Sequence, residues 1–175
     1  MTHPMLHIQS FASNSRAWLL SLNCKHAISK SYTLSCQVLT DVRVDVEKVL
    51  GQPQSISFNL GKSQRYFHGL VSSIEQQDSP CRPLFCYNIM IHPGLYFLQY
   101  HTDCSIFQGK TVLDITRYWF EYFGIANVDY SGLRTSYEKL NYCVMFNESV
   151  YDFLLRLMSF STKWAHMGPN PDRAP

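Results

Sequence analysis

Long apolar runs, blocks of like charge and the spacings of familiar catalytic sites are all missing from this 175-residue sequence. The longest apolar run falls far short of the roughly 20 residues that a membrane-crossing helix needs. Met1 to Ser10 has neither a basic start nor an apolar stretch, so no signal peptide is expected, and no lipidation motif is present. Charged residues make up only 16% of the chain and the net charge is +2, with no Lys/Arg cluster. That argues against binding nucleic acid through its phosphates. The cysteines at 24, 36, 81, 86, 104 and 143 form no CxxC pair and have no histidine at zinc spacing. Without a secretory signal, these thiols are expected to stay reduced in a cytosol. Neither a Gly-x-Ser-x-Gly elbow nor an HExxH helix occurs. Gly109-Lys110-Thr111 matches the end of a phosphate-binding loop, but position 104, where the first glycine is needed, is Cys104. No phosphate cradle is expected there.

What the sequence does have is aromatic residues: 11 Tyr and 11 Phe, a composition that favours strands. The length suits one large domain or two small ones and is enough to bury a core without staples. Tyr32, Leu34, Cys36 and Val38 alternate with polar residues, which predicts a strand with one buried face. Ile56, Phe58 and Leu60 repeat the pattern. So does Arg65 to Ile74, where the internal Gly69 marks a bulge or a close backbone contact. Gly61 to Gln64 reads as the hairpin loop between these two strands. Phe85, Tyr87, Ile89 and Ile91 form the next face, stopped by Pro93-Gly94. Asp45 to Gly51 reads as a short helix capped by Asp45 and closed by Gly51, with Val46, Val49 and Leu50 on one face.

The period then changes. Val112, Ile115, Trp119 and Phe123 share a helical face, with Thr111 and Asp114 as a capping box and Gly124 as the stop. Ser149 and Asp152 repeat the box, followed by Val150, Phe153, Leu154, Leu157 and Met158 at helical spacing. Tyr142 to Phe146 is a strand between the helices, and residues 125 to 140 read as a loop with short extended pieces. From Ser159 onward the prolines forbid regular structure, and a disordered tail is expected.

Each residue with chemical potential has a structural reading that fits better. His3 and His7 could share a metal on a helix, but Pro4 argues for a frayed end. His68 falls in a strand and His92 just before a proline. Cys143 reads as a small buried hydrophobe rather than a nucleophile. Glu148 and Asp152 read as first-turn acids that offset the helix dipole, with Arg156 placed to pair with Asp152. Tyr118, Trp119, Phe120, Tyr122 and Phe123 could stack bases but read as packed core. No catalytic, cofactor-binding or metal residue is assigned, no cofactor is expected, and the protein is not expected to be an enzyme.

Four blocks carry a resemblance. They are Leu50-Gly-Gln-Pro53; Tyr66-Phe-His-Gly-Leu-Val71; Tyr87 to Leu98 with Ile106-Phe-Gln108 and the Thr111 helix; and Tyr142-Cys-Val144 with Asn147-Glu-Ser149 and Tyr151 to Met158. In this order they resemble the N-terminal part of the VgrG spike proteins of type VI secretion and the related phage tail baseplate hub proteins. The resemblance covers roughly residues 10–158. It implies an α+β, mainly β fold: an antiparallel barrel-like hub domain at 1–108, then a helix-strand-helix segment at 109–158 that begins a second hub region. Residues 159–175 depart from the pattern and are expected to be an atypical tail, as in a truncated fragment.

The resemblance also implies a structural, non-catalytic part of a contractile injection machine. Full-length members would self-associate as a trimer, meet tail tube and baseplate proteins and carry effector proteins. Neither nucleic acid nor an integral membrane segment is implied. Assembly would occur in the bacterial cytoplasm and be followed by secretion or injection. A phage or prophage tail hub is the alternative, and a small cysteine-dependent effector enzyme is an alternative of another class.

Overall fold

The structure, a computed structural model, describes residues 6–9, 11, 16–27, 30–60, 63–81, 83–126, 128–133 and 136–160. They divide into two compact units at the Pro93–Gly94 bond.

The first unit is one antiparallel sheet. Its strands are β1 (Leu6–Gln9), β2 (Ala17–Ala27), β3 (Lys30–Thr40), β4 (Pro53–Leu60), β5 (Ser63–Gln77) and β6 (Phe85–His92), with a one-turn helix α1 (Val46–Val49) between β3 and β4. The spatial order is β1-β4-β5-β6-β3-β2. The two edge strands, β1 and β2, come within 8 Å of each other between Cα atoms, so the sheet curls round on itself. Alternation decides which face is enclosed. Leu34 stands opposite Ile91, Cys36 opposite Ile89 and Val38 opposite Tyr87. On the other flank Ile8 stands opposite Ile56, and Ile56 opposite Phe67. Leu34, Val38, Ile56, Tyr87, Ile89 and Ile91 are fully buried. Each such side chain stabilises the fold by roughly 1.5–3 kcal/mol relative to exposure. The two tyrosines in this core have partners: Tyr32 donates its hydroxyl hydrogen to the His68 carbonyl, and Tyr87 Oη accepts from Val44 N–H at 2.9 Å.

The close contact expected at Gly69 is present. A Cβ there would lie 2.5 Å from the His92 carbonyl oxygen and 2.7 Å from Ile91 Cγ2. The bulge in β5 sits elsewhere, between Val71 and Ser73. The loop expected at 61–64 is shorter than read, since Ser63 and Gln64 already pair with Leu60 and Asn59; Gly61 and Lys62 lie outside the described residues. Helix α1 forms where expected, but Asp45 makes no side-chain cap. Its carboxylate pairs with Lys48 Nζ at 2.9 Å instead. Only Val49 of the expected apolar face is buried; Val46 and Leu50 are exposed.

The second unit begins with a 3-10 stretch, Gly94–Tyr100, and continues with β7 (Thr102–Phe107), α2 (Val112–Tyr122), β8 (Cys143–Ser149) and α3 (Val150–Phe160). β7 and β8 form their own antiparallel pair. The capping box opening α2 is complete. Thr111 Oγ1 accepts from Asp114 N–H at 3.1 Å, and an Asp114 carboxylate oxygen accepts from Thr111 N–H at 2.9 Å. Gly124, at φ +63°, closes the helix in the left-handed region that an unbranched backbone visits at no steric cost. Val112, Ile115, Trp119 and Phe120 of α2 pack with Val150, Phe153, Leu154 and Leu157 of α3 and with Met145 of β8. The fold class is therefore as expected: α+β, mainly β, with a curled antiparallel sheet and two amphipathic helices in the second half. Helix α3 runs two residues beyond Met158; the tail from residue 161 lies outside the described residues.

Candidate functional site

Among the described residues, those with chemical potential do not converge on one site. His3 lies outside the described residues. His7 sits in β1 opposite Ser57. His68 Nδ1 is 2.7 Å from Ser55 Oγ, and its ring stacks on Tyr66. His92 is buried, near Thr33 Oγ1 at 3.4 Å, and burial pulls its pKa below the ordinary histidine value. Burial likewise raises the thiols of Cys24, Cys86 and Cys143 and pushes Cys36 up to about 12. Because the thiolate is the reactive form, these four are poor nucleophiles. Among the described residues no group of three or more His, Cys, Asp or Glu side chains could hold a metal. Lys110 and Leu140 form a backbone bridge that extends the β7–β8 pair, so the Gly109-Lys110-Thr111 turn leads from β7 into α2.

The acids at the start of α3 behave partly as expected. Ser149 Oγ accepts from Asp152 N–H at 3.0 Å and donates to the Asp152 carboxylate at 2.6 Å. The expected Asp152–Arg156 pair does not form. Asp152 is held at the helix start by Ser149, and Arg156 turns back to Glu148 at the end of β8. There Arg156 Nε donates to Glu148 at 3.2 Å and Nη2 donates to the Val144 carbonyl at 3.0 Å. A helix residue thus occupies a backbone acceptor on a strand. Where β8 turns into α3, Asn147 is the bulge residue, in the left-handed region at φ +47°, which asparagine tolerates.

The aromatic set divides. Trp119 and Phe120 are core, whereas Tyr118 and Tyr122 are exposed and stack on each other at 6.3 Å. Exposed apolar residues of the second unit also include Tyr100, Ile106, Tyr142 and Phe146, and Phe146 is 76% exposed. Ile106 stands opposite Val144, and Cys104 opposite Phe146. One face of the β7–β8 pair, carrying Met145 and Phe107, joins the core; the other face carries Ile106 and Phe146, both exposed among the described residues. Sequence reading missed it because β7 was not recognised: Thr102-Asp-Cys-Ser-Ile-Phe107 alternates only weakly. What the geometry offers is an exposed apolar strand face among the described residues.

Comparison with known proteins places that surface in context. Residues 25–161 match the family described as phage tail baseplate hub (GPD). The type VI secretion system spike protein VgrG1c of Pseudomonas aeruginosa is 34% identical over 122 residues, 69% of this chain and 16% of that protein. VgrG1b of the same organism is 34% identical over 114 residues, 65% of this chain and 15% of its own length. The chain thus spans about a sixth of these relatives. The Escherichia coli c3393 protein is described as a type VI secretion component structurally similar to the T4 bacteriophage tail proteins gp27 and gp5. It shares the fold with a TM-score of 0.65 at 19% identity, over 88% of this chain and 42% of that one. With more than half of its residues inside the family match, the chain belongs to the phage tail baseplate hub (GPD) family.

Proposed function

We propose that this chain is a structural piece of the tip of a contractile injection machine of the type VI secretion kind, and that it catalyses no reaction. The match across residues 25–161 carries the reading, because it takes in both the curled sheet and the helical unit. The spike proteins at 34% identity favour secretion over a phage tail. In this reading the curled sheet supplies the barrel-like hub domain and the helical unit opens the second hub region. Tail tube and baseplate proteins are the partners, full-length assemblies are trimeric, and effector proteins ride on the assembly. Assembly takes place in the cytoplasm, and injection follows.

Co-expression with tube and baseplate proteins of a type VI secretion system, followed by size-exclusion chromatography, tests the reading. Co-elution with either is expected. If the chain elutes apart from both, the proposed partners are wrong. At neutral pH the buried Cys36 and Cys86 are expected to label slowest and the exposed Cys24, Cys81 and Cys104 faster; one cysteine reacting far faster than the other exposed ones would revive the effector alternative.

A further inference from the structure

We draw no further inference here: the strongest candidate, the exposed apolar patch of Trp18 and Leu20 on β2 of the curled sheet, carries nothing because nothing in the structure shows what covers it.

Discussion

At the scale of single residues, Gly69 and Thr111 show two different kinds of constraint. At Gly69 the constraint is space. Backbone, not a flexible side-chain end, lies 2.5 Å from where a Cβ would stand. Gly69→Ala must push β5 away from β6 and is expected to cost about 1–3 kcal/mol, read as a lower urea midpoint. At Thr111 the constraint is hydrogen bonding. Its hydroxyl and N–H both bond to Asp114, and they hold the Asp114 carboxyl below the usual carboxylate range. A folded pKa below the unfolded value means that the unfolded chain binds more protons as the solution is acidified. The stabilisation is therefore complete above about pH 4, the unfolded carboxylate value, and is lost as pH falls towards the depressed folded value. Thr111→Ala is expected to cost about 0.5–2 kcal/mol at pH 7 and less near pH 3, with denaturant titrations at the two pH values as the check.

At the scale of elements, legibility followed periodicity. Strands β3, β4, β5 and β6 were readable because apolar residues recur at every second position over much of each, as at Tyr32, Leu34, Cys36 and Val38, and that set lies in the core. Helices α2 and α3 were readable because their caps and apolar stripes agree. β1, β2 and β7 were not recognised. The partly buried side chains of β2, such as Leu19 and Leu22, are interrupted by a register shift between Leu19 and Ser21. β7 is apolar on its uncovered face as well as its inner one, so its period is blurred. The partner of Arg156 was misread for a related reason. Helical spacing pointed to Asp152, but the competing acceptors, Glu148 and the Val144 carbonyl, lie on a strand that spacing along the helix cannot reveal. This leads to a prediction about the element. Arg156→Met leaves the β8 edge unsealed. The lost surface ion pair should cost at most about 1 kcal/mol. The change is read as a small drop in the urea midpoint.

At the scale of the whole molecule, the two buried clusters are assembled from different stretches of chain. One draws on residues from Ile8 to Ile91, the other on residues from Leu98 to Leu157. A void made in one core therefore removes contacts from that core. Met145 is fully buried at the centre of the second cluster, on the inner face of β8 beneath the two helices. Truncating it deletes dispersion contacts and leaves a cavity, so Met145→Ala is expected to cost about 2–5 kcal/mol. Because the loss is local to that cluster, hydrogen exchange should accelerate in β7, β8, α2 and α3 while amides of β3 and β6 keep their protection. Equal acceleration in both units would show that the chain opens as a single cooperative body, and the two clusters would then have to be treated as one core.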